Sequence, residues 1–152
     1  MSKVIRKAGL PAFLFFFGVL GAASAQDLII SELMAVNNGT IEDEDGNTPD
    51  WLELFNAGDS AQNLSGYFLS DDPLVPQKWR FPSVSIAPGG FLLIFASDKD
   101  RRDANSELHT NFKLSSSGEF LGLFAPDGET IVDQVDPFPE LIAGFSYGIS
   151  QN

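Results

Sequence analysis

Cysteine is missing altogether and histidine occurs once, at His109. The first absence excludes disulfides, thiolate zinc sites and cysteine nucleophiles, and the second excludes a metal held by an imidazole pair. Basic residues are also scarce: 9 Lys and Arg stand against 21 Asp and Glu, a net charge of −12. Affinity for a phosphate backbone comes largely from clustered cations, so no nucleic-acid partner is expected. Cations, basic partners or simple solubility outside the cell suit the acidic surface. Long helical periods are absent, and the longest apolar run, Leu10 to Leu20, is too short for a comfortable membrane span of about 20 residues.

That run has a different meaning. Lys3, Arg6 and Lys7 precede it and Ala23-Ser24-Ala25 follows, the three-part pattern of a secretory signal peptide with small residues at the cleavage positions. Cleavage after Ala25 would leave Gln26 first, and an uncleaved N-terminal anchor is the alternative. Loss of the leader's three cations takes the mature charge to about −15. No later segment approaches membrane length, so no span is expected after cleavage. The expected location is secreted, extracellular or on the cell surface of a bacterium.

The mature chain reads as many short strands. Asp50-Trp51-Leu52-Glu53-Leu54-Phe55-Asn56 alternates, with Leu52 and Leu54 on one face and Trp51, Glu53 and Phe55 on the other. Apolar bulk on both faces predicts a strand inside a sheet, one face in the main core and the other covered at least in part by a loop or cross-strand neighbours. Glu53 between two aromatics needs a donor or an escape to solvent; Arg80 is the expected donor. Further strands are predicted at Leu28 to Met34, Tyr67 to Ser70, Lys78 to Phe81, Val84 to Ile86, Phe91 to Ala96 and Phe112 to Leu114. Phe120 to Phe124 and Thr130 to Gln134 flank Asp127-Gly128, a strong hairpin signal. Ser97 to Thr110 is charged and mixed, a surface loop or one short helical turn. From Asp136 the pattern breaks into an extended tail, residues 136–152, whose aromatics either pack back or begin a linker. The class is all-β, a β-sandwich in preference to a barrel.

The acidic stretch before the central strand is the best candidate for chemistry. Asp43, Asp45, Asn47 and Asp50 offer hard oxygen donors around Gly46, the supply that Ca²⁺ wants for its six to eight ligands. The spacing is only part of a calcium loop: Ile41 stands where an EF-hand has an acid, and Asp50-Trp51 already begins a strand. A solvated acidic loop is the other reading. His109 could form a triad only with a serine and an acid gathered in space. Ser106 and Ser115 to Ser117 are near in sequence but lack an elbow that exposes a nucleophile, so a packing or capping role is expected. Glu32 and Glu53 could pair as glycosidase carboxylates only across a cleft with sugar-stacking aromatics, which a small sandwich seldom forms. Trp79, Tyr67 and Tyr147 could serve carbohydrate or protein binding; core packing is the commoner use.

Several segments in this order resemble the lamin tail domain, an immunoglobulin-like β-sandwich found in nuclear lamins and in many exported bacterial proteins. They are Ile30-Ser31-Glu32, Asp50 to Asn56, Leu64-Ser65-Gly66-Tyr67, Trp79-Arg80-Phe81-Pro82, Pro88-Gly89-Gly90, His109 to Leu114 and Asp127-Gly128. The acidic loop is similar to the bacterial branch, and the match covers roughly Leu28 to Val135, giving a domain over residues 26–135 behind a signal peptide over 1–25. The resemblance implies a non-catalytic domain with a binding or attachment role, often joined to extracellular enzymes or to spore-coat-protein-H-like kinases. It brings no catalytic residues and requires no cofactor, with Ca²⁺ the one ion the loop could take. The lamin coiled-coil rod is absent, so filament formation is not implied. The expected function is therefore a secreted or cell-surface module that binds an unknown protein or cell-surface polymer. The alternative is an N-terminal accessory domain of a larger extracellular enzyme or kinase.

Overall fold

The computed structural model describes residues 27–148, and every regular element among them is a strand. The expected signal peptide lies outside the described residues. Two sheets face one another. The first carries β1 (Leu28–Met34), β2 (Asp50–Asn56) and β7 (Phe91–Ala96) as its centre. These three are antiparallel neighbours, with β8 (Leu108–His109) added beyond β7 and β11 (Tyr147–Gly148) beyond β1. The second sheet orders β10 (Ile131–Val135), β9 (Leu121–Phe124), β4 (Phe68–Ser70) and β5 (Trp79–Arg80). A small ladder joins β3 (Gln62–Asn63) to β6 (Ser85–Ile86).

Alternation decides what lies between the sheets. Leu52 and Leu54 of β2, Ile30 and Leu33 of β1 and Ile94 of β7 point inward to meet Leu69, Trp79, Leu121 and Leu123 of the second sheet, all buried. Trp79 is fully enclosed, its ring edge-on to Phe81 at 4.8 Å, so it belongs to the core and not to a binding surface. Tyr67 packs partly against the same core, while Tyr147 stays exposed. A bulge at Ser31 shifts the β1 register between Ile30 and Glu32, and the freed Ile30 N–H donates to Asp133 Oδ2 of β10 at 2.7 Å. The carboxylate thereby ties the two sheets together at their edges.

The Asp127-Gly128 hairpin forms as the sequence predicts. Asp127 Oδ1 accepts from Glu129 N and Thr130 N, and Gly128 takes the left-handed φ of 73° that the reversal needs. Two expectations need correction. Ser97 to Thr110 is neither a surface loop throughout nor a helical turn: Leu108, His109 and Thr110 are buried, and β8 runs parallel to β7. The stretch predicted as a strand from Phe112 instead makes a single bridge, Ser97 to Lys113. The packed structure also continues past residue 135. Phe138 is buried in the core, its N–H bonded to Glu119 O, and Tyr147-Gly148 pairs with the free edge of β1.

Candidate functional site

The outer face of the first sheet follows from the register. Trp51 pairs with Phe95 and Met34, Glu53 with Leu93 and Glu32, and Phe55 with Phe91 and Ile29. One end of this face is closed. Met34, Trp51 and Phe95 form a second small core, with Ile41 from the acidic loop laid against it. His109 lies over Phe95, ring centroids 5.2 Å apart and nearly parallel. The face of β2 turned away from the main core is thus covered at this end by a loop and by cross-strand neighbours, as its apolar residues predict.

Hydrogen bonds and ion pairs hold the covering loop in place. One oxygen of Asp43 accepts from Asp45 N at 3.0 Å and Asn47 N at 2.9 Å, and Gly46, at φ 74°, closes the turn. The other oxygen meets Lys99 Nζ, which also reaches Asp45 at 2.7 Å. Arg101 straddles Glu44 at 2.6 Å and Asp45 at 2.7 Å. Asp98 and Asp100, on either side of Lys99, take left-handed φ of 65° and 50°, which Asp tolerates better than most residues. Burial pushes the Asp43 carboxyl up, but the Lys99 hydrogen bond and the two backbone donors outweigh it and hold the group below the usual carboxylate range. Hydrogen bonds from Arg101 and then Lys99 hold Asp45 down at about 2.

The four expected calcium donors are therefore not gathered on one point. Asp43 and Asp45 converge on the ammonium of Lys99, Asn47 contributes its backbone N–H and C=O to the Asp43 turn, and Asp50 accepts from Leu114 N at 3.2 Å. Among the described residues no group of three or more His, Cys, Asp or Glu is arranged to hold a metal ion. As placed, the set does not fit Ca²⁺, because a divalent ion would have to displace a lysine and an arginine that already neutralise the carboxylates.

Asp50 occupies a different environment. Burial raises its carboxyl to about 6, against the lowering pull of the Leu114 N–H bond and of Lys113. It lines an open cleft of about 340 Å³ together with Asn47, Thr48, Ser97, Lys99 and Lys113. Behind the cleft wall Ser97 Oγ is 2.8 Å from His109 Nδ1. The serine that meets the histidine is thus Ser97, not Ser106 or Ser115 to Ser117. The parallel β7–β8 ladder sets this contact, and no local spacing in the sequence announces it. Burial, reinforced by Lys99 and Arg101, lowers the pKa of His109 and favours its neutral form. The imidazole packs on Phe95 inside the closed end, in keeping with a structural histidine.

Glu53 does not meet Arg80, a further correction to the sequence reading. Glu53 points outward from the first sheet, whereas Arg80 lies on β5 of the second, and Ser31 Oγ donates to Glu53 Oε1 at 2.8 Å. The bulge at Ser31 makes this contact possible. Glu32 and Glu53 are side-by-side cross-strand neighbours on one sheet face, each answered by a serine hydroxyl, Ser146 for Glu32 and Ser31 for Glu53.

At the other end the same face is open. Phe55 and Phe91 contact one another with centroids 4.7 Å apart, and Phe91 remains 53% exposed. Sequence reasoning placed Phe55 on this face without singling it out; the signal was the outward aromatic at each end of the central strand. The family model for the lamin tail domain matches residues 21–138. No curated protein matches the chain.

Proposed function

The chain belongs to the lamin tail domain family, a family of non-catalytic immunoglobulin-like modules, and from that premise we propose that it is a secreted or cell-surface attachment module that carries out no reaction of its own. The observation that carries this reading is the open Phe55–Phe91 pair on an otherwise ordered sheet face. Exposed aromatics set on a rigid strand surface supply contact area at little entropic cost. Each ring, once covered by a partner, is worth about 1.5–3 kcal/mol. The partner is a protein or a cell-surface polymer, and the acidic surface favours one with basic groups. The leader-like residues 1–25 support export, and the same contact face would serve a free module or an accessory domain of a larger extracellular enzyme.

Fractionation of cells that export the protein tests the reading. The product is expected outside the membrane, beginning at Gln26 and held at the surface. A Phe55→Ser, Phe91→Ser variant is expected to move into the medium with its fold intact. Recovery of the chain in the cytoplasm with Met1 in place, or surface retention unchanged by the double substitution, contradicts it.

A further inference from the structure

The cleft beside the clamped loop has a composition that narrows what can fill it. Lys99 is already neutralised by Asp43 and Asp45, while Lys113 makes no ion pair among the described residues. Only one oxygen of Asp50 is used, by Leu114 N; the other accepts no hydrogen bond among the described residues. An anion placed here meets the Asp50 carboxylate, and a cation meets Lys113, so neither is matched on its own. Asn47 and Thr48 place neutral hydrogen-bonding groups beside the two charges and Pro49 adds apolar lining, while Ser97 Oγ is taken up by His109 and Ala96 is buried beneath. A ligand that offers donors to a carboxylate, acceptors to an ammonium and further hydroxyls to an amide and a threonine satisfies every one of these groups at once. A sugar ring does this, with its C–H face turned to Pro49.

We propose that the cleft between the acidic loop and the start of the Lys113 segment is a carbohydrate subsite, taking one neutral sugar residue through Asp50, Lys113, Asn47 and Thr48. Its volume, about 340 Å³, lies at the small end of the range of ligand pockets, enough for one ring and not for a chain. Asp50 fits the assignment in another way. A carboxylate kept half-buried at some cost to the fold is what a binding group looks like, since a purely structural acceptor for Leu114 N could be an uncharged amide. The rigid partners of the loop add to this, because the Asp43 turn and the Lys99 and Arg101 pairs hold Asn47 and Thr48 in place before any ligand arrives. The assignment stands apart from the Phe55–Phe91 face, which lies at the opposite end of the sheet.

The test is a titration of the isotope-labelled protein, followed through its amide chemical shifts, with cellotriose, triacetylchitotriose and galactobiose. Glycine as a zwitterion and inorganic phosphate as an anion serve as competitors of different charge. At least one sugar is expected to shift the amides of Asn47, Thr48, Asp50, Ser97 and Lys113 and to leave Phe55 and Phe91 unmoved. Lys113→Met and Asp50→Asn should each weaken that response about tenfold, the loss of one charge-assisted hydrogen bond, with the remaining spectrum native. No shift from any of the three sugars up to their solubility limits overturns the assignment, as does a stronger response to glycine or phosphate, or shifts centred on Phe55 and Phe91. If surface attachment persists while the sugars fail, the cleft assignment alone falls.

Discussion

The two ends of one sheet face are built from the same kinds of side chain and end in opposite conditions. At the closed end Trp51, Phe95 and Met34 are buried under Ile41 of the acidic loop and beside the ring of His109. At the open end Phe55 and Phe91 touch one another, and Phe91 keeps half its surface in water. The strand pattern does not distinguish them, since both are outward aromatics on β2 and β7. The difference lies in a loop and in the charges that hold it: Asp43, Glu44 and Asp45 bind Lys99 and Arg101 across more than fifty residues of chain. Apolar area on an outer sheet face becomes core where polar residues fasten a lid, and stays a surface where none do.

The largest expected effect comes from truncating one aromatic at each end. Trp51→Ala should cost about 3–4 kcal/mol by leaving a cavity in the second core, whereas Phe91→Ala should cost less than about 1 kcal/mol. Denaturant unfolding measures both, and equal losses would remove the distinction between the ends. Asp43→Ala comes next. It takes the anchor from two backbone N–H groups and from Lys99, so a loss of about 2 kcal/mol is expected, with faster amide exchange over residues 36–49. Unchanged exchange there would show that the loop is held by something other than these pairs.

Acid behaviour gives a smaller effect with a definite sign. Asp50 titrates near 6 in the fold against 3.8 unfolded, so the native state holds the proton more tightly and stability falls as pH rises from about 4 to 6. His109 acts oppositely: its folded pKa lies below 6.5, the unfolded chain takes the proton first, and stability falls as pH drops below 6.5. Asp50→Asn keeps an acceptor for Leu114 N and removes the buried charge. It should raise stability at pH 7 by about 1 kcal/mol, once solvent screening of a half-buried group is allowed for, and should expose the His109 slope. A variant no more stable than the parent at pH 7 would contradict the account of Asp50. The smallest expected effect is that of calcium. With Lys99 and Arg101 on the carboxylates, Tm should be the same in calcium and in chelator. A rise in calcium that is lost in an Asp43→Ala, Asp45→Ala variant would restore the ion as the loop's ligand.

How far the sequence reaches is visible in particular residues. Leu52 and Leu54 against Trp51 and Phe55 foretell a strand with two apolar faces, and Asp127-Gly128 foretells its hairpin, because period and turn chemistry are local. Leu108-His109 is not legible as a strand, since two buried residues amid a charged segment carry no period and owe their burial to a parallel neighbour. The partner of Glu53 is missed because a bulge at Ser31 cannot be seen in the residue order. The lid over Trp51 shows as an acidic run, yet its meaning depends on Lys99 and Arg101, which only the fold brings near. Phe138 reads as part of a tail because Pro137 and Pro139 flank it, although the core closes around its ring.

If the clamped end stabilises and the open end attaches, one paired measurement separates the two roles. Binding to intact cells of the producing organism and Tm are recorded for the parent, for Phe55→Ser, Phe91→Ser and for Arg101→Ala, which touches the loop without lining the cleft. The phenylalanine variant should lose binding and keep its Tm, while the arginine variant should keep binding and lose Tm. Binding that survives without the two rings, or that vanishes with Arg101 alone, would contradict that division.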